Sequence, residues 1–314
     1  MISRNAALTA AVVILMGAAA RADQSPMPTD IAAKLVEIGH TIDGRRTGAL
    51  YAPLQEKEPY QGVKVARDVK YGPADRNLLD VFTPEAAASP RPVLIFVHGG
   101  ALVRGDRRIP GSPFNDNIML WAVKNGFVGV NMTYRLVPEA TWPAGPEDMG
   151  AAVAWVGREI AARGGDPSRV YPMGHSAGAL HVASYVSHPE FYKVSGGGLA
   201  GAIMISGTYD LATTNLSDAA KVYFGSDPAL YAERSAIRGL IATKIPLMIA
   251  SAELDPPHFI RQFEELKSAT CEGPQGCIRA VMLPQHSHTS EVFSINTADT
   301  RLTDQILEFA RTGK

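Results

Sequence analysis

The sequence has few cysteines, almost no net charge and no long hydrophobic run. Its 314 residues include two cysteines, and 30 basic residues nearly balance 31 acidic ones, which gives a net charge of −1. Basic residues occur at most as doublets, whereas nucleic acids and anionic membranes attract clustered Lys and Arg. The hydrophobic content of 46% is typical of a globular protein with a sizeable core. We therefore expect a small-molecule partner and no nucleic acid.

The first 22 residues have the pattern of a secretory signal peptide. Arg4 precedes an uncharged stretch from Ala6 to Ala20, and small residues flank Arg21 before a cleavage site after Ala22. The stretch is shorter than the ~18–20 residues that span a bilayer. An uncleaved anchor helix is the alternative. We expect residues 1–22 to be removed, leaving a periplasmic or secreted protein without a membrane attachment.

Cys271 and Cys277 flank a short loop that contains two glycines and a proline. Disulfides persist in the compartments that exported proteins reach. The glycines and the proline permit a tight loop between the two thiols. Two thiols with no histidine between them do not complete the tetrahedral shell of a zinc ion. The sequence predicts a disulfide here and no metal site.

Short apolar runs alternate with segments of helical spacing along most of the chain. The first two strand-like segments, 63–69 and 77–82, are typical of an antiparallel hairpin. Later runs are apolar throughout, as in buried parallel strands. They begin at Val93, Phe127, Val170, Ala202, Pro246 and Ile278, and the helical segments include 148–162, 177–187, 258–269 and 299–310. The alternation predicts an α/β fold with a mostly parallel sheet, helices on both faces and a single domain over residues 23–314.

A serine between two glycines marks the strongest chemical signal in the chain. Gly174-His175-Ser176-Ala177-Gly178 directly follows a predicted strand and precedes a predicted helix. A serine on such a turn is strained and exposed, and the flanking glycines let strand and helix approach closely. The pattern predicts that Ser176 is a nucleophile.

A serine hydroxyl needs a histidine base, and that base needs an acid to orient it. In folds with this nucleophile turn the acid and then the histidine follow along the chain, each after a strand. Glu253 and Asp255 follow one predicted strand, Asp210 follows an earlier one, and His286 and His288 follow the last. At this point Asp210, Glu253 and Asp255 remain open as the acid, and His286 and His288 remain open as the base.

Acyl transfer also needs donors for the negative charge that develops on the substrate oxygen. The amide of Ala177, directly after the nucleophile, is one donor. The turn His98-Gly99-Gly100-Ala101 follows the third strand, and its glycines let backbone N–H groups approach a substrate. We expect Gly99, Gly100 and Ala177 to form an oxyanion hole.

These motifs resemble the carboxylesterase and hormone-sensitive-lipase-like branch of the α/β hydrolases. The resemblance is strongest to the esterases grouped with bifunctional acetyl-xylan/feruloyl esterases and with kynurenine formamidase, and it extends over about residues 63 to 310. It is carried by Tyr71-Gly72, Leu79 to Phe82, His98 to Gly100, Tyr134 to Leu136, Trp142-Pro143, Glu147-Asp148, Gly174 to Gly178, Tyr223 to Gly225, Ser235, Glu253 to Asp255 and His288. Ala101 stands where many relatives have a third glycine, which disfavours esters of bulky tertiary alcohols.

The resemblance implies an α/β-hydrolase fold with Ser176, Asp255 and His288 as the catalytic triad. It implies hydrolysis of short-chain or aryl esters through an acyl-enzyme, without a cofactor. Aryl formamidase and carbohydrate esterase activities use the same residues and are the alternatives. The N-terminal segment 23–60 and the insertion 209–240 are expected to form the cap and the substrate pocket.

Overall fold

The computed structural model of the chain describes residues 27–86 and 89–314. The predicted signal peptide, residues 1–22, lies outside this range. Eight strands form one sheet in the order β1-β2-β4-β3-β5-β6-β7-β8. The strands are β1 (Val63–Lys70), β2 (Leu78–Pro84), β3 (Arg91–Val97), β4 (Val128–Met132), β5 (Gly165–His175), β6 (Ala202–Ile205), β7 (Leu247–Leu254) and β8 (Arg279–Ser287).

The sheet is antiparallel at its N-terminal edge and parallel elsewhere. Strand β2 runs antiparallel to both β1 and β4, and every later pair is parallel. The predicted hairpin and the mostly parallel sheet are therefore confirmed. Because parallel strands all end at the same edge, the loops after β3, β5, β7 and β8 gather at one side of the molecule.

Helices cover both faces of the sheet. They are α1 (Thr29–Ile38), α2 (Gly44–Tyr51), α3 (Asp116–Lys124), α4 (Ala144–Glu159), α5 (Ala177–Ser187), α6 (Asp218–Phe224), α7 (Tyr231–Arg234), α8 (Ile237–Ala242), α9 (Pro257–Thr270), α10 (Ser290–Phe293) and α11 (Arg301–Thr312). Val93 and Ile95 of β3 pack with α4 and α5, whereas Leu94 and Phe96 pack with α3 and α11. Successive strand residues point to opposite faces, so a run without polar residues is what a doubly covered strand requires.

The sequence pattern does not predict helix α3. Its residues from Asp116 to Val123 are all buried, so the helix has almost no polar face. A helix buried on all sides lacks the 3.6-residue alternation that a sequence reading detects. Helix α1 is amphipathic instead, and it buries Ile31, Leu35 and Ile38 at helical spacing on one face.

Two segments outside the sheet cover its carboxyl edge. The insertion 209–240 carries α6, α7 and α8, and Leu211, Tyr223 and Phe224 pack with Ala177 and Leu180 at the start of α5. Residues 27–60 carry α1 and α2, which pack around Tyr51. Both segments thus lie beside the turn that contains Ser176.

A disulfide joins Cys271 and Cys277 in the loop between α9 and β8. The loop precedes β8, at the end of the strand remote from His288. Both cysteines are exposed. Within residues 27–86 and 89–314, no helix combines the length and the apolar character needed to cross a membrane.

Candidate active site

Ser176 lies on the turn between β5 and α5 in a strained backbone conformation. Its φ of 56° and ψ of −118° lie outside the regions that a residue with a side chain ordinarily adopts. The Ser176 N–H donates a hydrogen bond of 2.9 Å to the carbonyl of Ile205, which fixes the turn to the end of β6. The turn thus presents the hydroxyl above the sheet, as the sequence motif predicts.

The two glycines that flank Ser176 lie where the surrounding backbone leaves no room for a side chain. A Cβ atom at Gly174 would lie 2.3 Å from the carbonyl oxygen of Gly178. A Cβ atom at Gly178 would lie 1.9 Å from the carbonyl oxygen of Val97. Both distances are far below van der Waals contact, so no other residue fits without backbone movement. The close approach of β3, β5 and α5 is what places the oxyanion turn beside the nucleophile.

His288 and Asp255 meet at the ends of β8 and β7. His288 Nδ1 lies 2.7 Å from Asp255 Oδ1, and the two side chains are 2% and 0% exposed. Asp255 Oδ2 accepts three further hydrogen bonds, from Ser206 Oγ at 2.5 Å, Ser251 Oγ at 2.7 Å and the Ala252 N–H at 2.9 Å. The structure therefore brings together the two residues that the sequence favours as acid and base.

The hydrogen bonds around Asp255 determine its charge. Burial opposes ionisation, but the donors from His288, Ser206 and Ser251 outweigh it and hold the pKa of Asp255 below its usual value. An ionised Asp255 keeps the proton of His288 on Nδ1. His288 Nε2 has no hydrogen-bond partner within the described part of the chain, and it remains available to accept a proton.

The oxyanion turn lies against the nucleophile. A Cβ atom at Gly99 would be 3.1 Å from Ser176 Cβ, and one at Gly100, where φ is 134°, would be 2.0 Å from the carbonyl oxygen of Arg104. Among the described residues, the N–H groups of Gly99, Gly100 and Ala177 find no acceptor. Ala177 is the first residue of α5, where a helix presents unpaired N–H groups and partial positive charge. The arrangement is suited to binding a developing anion.

His98 stabilises this turn from behind. Its ring stacks on Tyr134 with centroids 4.5 Å apart, and the Tyr134 hydroxyl donates to the His98 carbonyl at 2.9 Å. His98 Nδ1 lies 2.7 Å from the carbonyl oxygen of Gly99 and donates to it. Burial lowers the pKa of His98 to about 4, so the ring is neutral near pH 7. His98 thus has a structural role in the turn.

The alternative acids and the alternative base have other partners. Asp210 Oδ1 accepts from the Ala212 N–H, and Glu253 Oε2 accepts from the Gln285 N–H at 2.7 Å. His286 is buried with other partners, and its Nε2 lies 3.1 Å from Asp299 Oδ2. None of these contacts reaches Ser176. The geometry favours Asp255 and His288.

Two cavities meet at Ser176. The larger has a volume of about 620 Å³, and the smaller has a volume of about 390 Å³ and also contains His288. The larger is lined by Leu102, Ala177, Leu180, Leu211, Leu216, Ala220, Phe224 and Phe259, with Thr208, Asn215, His258 and Arg261 among its polar residues. The smaller is lined by Phe96, Ile109, Phe114, Val292 and Phe293, with Arg104 and Asp106 as its charged rim. Ile42, Ala101 and Ser176 belong to both.

One group of side chains has the residue types of a metal site. Ligand-type atoms of His175, His288 and Glu291 lie within 4.8 Å of one another, all buried, and no other such group occurs in the described ranges. His175 Nε2 is hydrogen bonded to the His288 carbonyl at 2.7 Å, and His288 Nδ1 is bonded to Asp255. These nitrogens are thus engaged in holding the histidines in place.

The chain resembles known esterases over different lengths. A family model described as BD-FAE matches residues 79–191, which contain the oxyanion turn and Ser176. Esterase LipQ of Mycobacterium tuberculosis is 28% identical over 269 residues, or 79% of this chain and 62% of LipQ. Phenmedipham hydrolase of Pseudarthrobacter oxydans is 33% identical over 120 residues, or 35% of this chain and 23% of the hydrolase. The chain thus spans less than two thirds of the length of these curated relatives.

Solved esterase structures superpose on nearly the whole chain. Esterase B from Lactobacillus rhamnosis gives a TM-score of 0.69 at 18% identity, covering 92% of this chain and 96% of its own. A bacterial heroin esterase gives a TM-score of 0.65 at 21% identity, covering 90% and 97%. The chain has the α/β-hydrolase fold. The predicted fold class is confirmed.

Three polar residues near the candidate site escape the sequence analysis. Ser206 and Ser251 donate to Asp255, and Glu291 is buried three positions after His288. Ser206 follows β6 at a φ of 49°, and only the general rule that sites gather at the carboxyl ends of strands draws attention to it. A single serine or glutamate has no sequence signature of its own.

Proposed function

We propose that the protein is a serine carboxylic ester hydrolase. The observation that carries the proposal is the pair formed by His288 and Asp255, whose histidine lines the cavity that also contains Ser176. His288 Nε2 has no partner among residues 27–86 and 89–314. A nucleophile, a base and an acid in this relation are the parts that acyl transfer requires. The likeness to esterase LipQ supports the same reaction class.

Acylation begins when Ser176 Oγ attacks the ester carbonyl. His288 Nε2 takes the hydroxyl proton, and ionised Asp255 stabilises the imidazolium that forms. The N–H groups of Gly99, Gly100 and Ala177 donate to the oxyanion of the tetrahedral intermediate. His288 then protonates the leaving alcohol, which departs.

Deacylation repeats these steps with water. His288 Nε2 removes a proton from a water molecule, which attacks the acyl-enzyme, and the second tetrahedral intermediate collapses to release the acid and Ser176. Every step uses side chains and backbone amides of the chain, and none calls for a cofactor.

The position of His288 indicates which cavity takes the alcohol and which takes the acyl group of an ester. The leaving alcohol must be protonated by His288 Nε2, and His288 lines the smaller cavity. We therefore assign the alcohol to the smaller cavity, whose wall includes Phe114 stacked on Phe293 at 3.8 Å between centroids. The acyl group enters the larger cavity beneath the insertion 209–240.

We propose short-chain or aryl esters as the substrates. The insertion carries Asp218, Lys221, Asp227, Glu233 and Arg234, so it lacks the continuous apolar face that a lid needs to lie on a lipid surface. The test is kcat/KM of the purified protein across p-nitrophenyl esters from C2 to C16, together with acetylated xylan, feruloyl esters and formylkynurenine. We expect an optimum between C2 and C4. An optimum at C10 or above, or activation at an oil–water interface, contradicts the substrate class, and inactivity on every ester contradicts the function.

We further propose that the protein is exported. The signal-like segment 1–22 and the disulfide between Cys271 and Cys277 support this location. Expression of the full chain in a bacterial host, followed by fractionation and N-terminal sequencing, tests it. We expect a mature N-terminus at Asp23 in the periplasm or the medium, whereas uncleaved protein in the cytoplasm contradicts the proposal.

A further inference from the structure

Glu291 carries a fully buried carboxyl group. It lies on α10, three positions after His288, and its side chain is 0% exposed. Neither of its carboxyl oxygens has a hydrogen-bond partner among the described residues. A buried carboxylate is stable only when it is paired or well hydrogen bonded, so this environment is unfavourable for a negative charge.

The side chain that approaches Glu291 is the histidine that precedes the nucleophile. His175 Nε2 lies 3.3 Å from Glu291 Oε1 and 2.7 Å from the carbonyl oxygen of His288. A carbonyl oxygen only accepts hydrogen bonds, so His175 Nε2 must carry a hydrogen. Burial lowers the pKa of His175 to about 3, and the ring is neutral near pH 7. His175 therefore offers Glu291 no positive charge.

The other titratable groups around Glu291 also disfavour its ionisation. Asp255 after β7 is ionised and repels a second anion, and Tyr209 after β6 is buried and neutral. His288 lies three positions before Glu291, and its Nδ1 is hydrogen bonded to Asp255. Burial and then the charge of Asp255 raise the pKa of Glu291 well above its usual value, and they outweigh the nearby Ser206 hydroxyl, which lowers that pKa but donates its hydrogen to Asp255. The burial of Glu291 and the neighbouring negative charge of Asp255 both favour the protonated form of Glu291.

We propose that Glu291 is a positioning residue that acts as an uncharged carboxylic acid behind the catalytic histidine. With His175 it fills the space between the nucleophile turn and the loop that carries His288. His175 holds the backbone of His288 through its hydrogen bond. With Glu291 neutral, Asp255 is the one anion beside the imidazole in the part of the chain that the structure describes. A second anion there would favour the protonated imidazole, so less of His288 would be free to accept the proton of Ser176. The positioning role rests on the proposed function, whereas the protonation state of Glu291 does not.

The protonation state can be measured without a substrate. In unfolded chain Glu291 ionises near its ordinary pKa of ~4.3. Because the pKa of Glu291 in the folded protein is raised, its protonated side chain adds to the free energy of unfolding. This contribution is full below the unfolded pKa and is lost as pH rises through the folded pKa. Glu291→Gln replaces the neutral acid by an uncharged isostere without this pH dependence. We expect the Tm of the variant minus that of the wild type to increase from pH 5 to pH 8.

The matched control is Glu159→Gln, because Glu159 is an exposed residue at the end of α4. We expect its Tm difference from the wild type to be constant over the same range. A constant or falling difference for Glu291→Gln would show that Glu291 is ionised in the folded protein, and the proposal would be overturned. Since unfolding is the readout, this result is independent of whether the protein hydrolyses esters.

The positioning role is tested by rescue. We expect Glu291→Ala to lower kcat by about 10- to 100-fold, with KM changed far less, because a base displaced by a fraction of an ångström transfers protons poorly. Glu291→Gln should recover most of this loss. In the same way, His175→Gln keeps an N–H for the His288 carbonyl and His175→Leu does not, so the glutamine variant should be the more active.

Two results would overturn the positioning role. One is an equal loss of kcat in Glu291→Gln and Glu291→Ala, and the other is equal activity of the two His175 variants. The Tm of each variant identifies any that fails to fold. Absence of esterase activity in the wild type would instead contradict the proposed function and leave the Tm experiment valid.

Discussion

At the scale of single residues, the site depends on backbone positions that few side chains could occupy. Ser176 has a positive φ, and the glycines on either side have no space for a Cβ atom. The sequence predicts this turn well because the lack of space for a Cβ atom is a local constraint. Glycine at two fixed positions is the direct result of that constraint and is visible in the sequence. The partners of Asp255 are different, since Ser206 and Ser251 approach from two strands and only the folded chain brings them together.

Removing the nucleophile should abolish turnover and leave the fold intact. We expect Ser176→Ala to lower kcat on the order of a millionfold, the loss seen in the best-studied triad protease. A fluorophosphonate probe should label the wild type at Ser176 and fail to label the variant, while the Tm of the two proteins should be similar. Labelling that persists in Ser176→Ala would mean that another residue is the nucleophile.

The two nearby histidines should respond differently to substitution. His288→Ala removes the base and should approach the loss of Ser176→Ala. His286→Ala removes buried hydrogen bonds to Ser290 and Asp299, so we expect a loss of about 1–3 kcal/mol in the free energy of unfolding. The folded fraction of His286→Ala should retain most of its kcat. The comparison needs kcat and Tm for both variants, and the opposite ranking in kcat would assign the base to His286.

At the scale of helices and strands, the core elements are easier to predict than those over the site. Strand β6 and helix α5 have the boundaries that their sequence patterns predict. Helix α3 escapes prediction because it is buried on all sides. The short helices α6, α7 and α8 carry little periodicity. The positions of α6 and α7 depend on packing with Ala177 and Leu180, and α8 packs into the main core through Leu240.

The two cavities can be tested by filling each of them. Ala220 on α6 lines the larger cavity, and Ile109 lines the smaller one. Ala220→Trp should shorten the acyl groups accepted, because each methylene that is no longer buried forfeits up to ~0.8 kcal/mol, or roughly fourfold in kcat/KM. The measurement is the ratio of kcat/KM for butyrate and acetate esters of one alcohol.

Ile109→Trp is the matched variant for the alcohol side. It should leave the butyrate-to-acetate ratio near that of the wild type and lower kcat/KM for large alcohols at a fixed acyl group. If Ile109→Trp changes the acyl preference and Ala220→Trp changes the alcohol preference, the assignment of the two cavities is reversed.

At the scale of the whole molecule, the order of the strands joins distant segments into one site. Asp255 and His288 lie on neighbouring strands at one edge of the sheet, and Ser176 lies two strands farther in. The sequence predicts the parallel sheet from its apolar runs. The strand order and the proximity of residues 27–60 to the site follow from long-range packing, which has no periodic signature.

The disulfide should contribute only modestly to the stability of the whole molecule. The loop between Cys271 and Cys277 is short, so closing it constrains the unfolded chain by less than the ~3 kcal/mol expected for a 15-residue loop. We expect the double variant Cys271→Ser/Cys277→Ser to have a slightly lower Tm and wild-type kcat. Mass spectrometry of exported protein without reductant should find the two cysteines linked. Free thiols at both positions, or loss of kcat in the double variant, would contradict this expectation.

The meeting of two cavities at Ser176 also has a stereochemical consequence. A secondary alcohol in the smaller cavity has one substituent against the stacked pair of Phe114 and Phe293 and another toward the opening. Mirror-image alcohols exchange these substituents, so the two enantiomers of an ester should react at different rates. Hydrolysis of racemic 1-phenylethyl acetate to half conversion, followed by chiral chromatography, should show an enantiomeric excess in the remaining ester. Phe114→Ala should reduce that excess, and the protein would then serve for kinetic resolution.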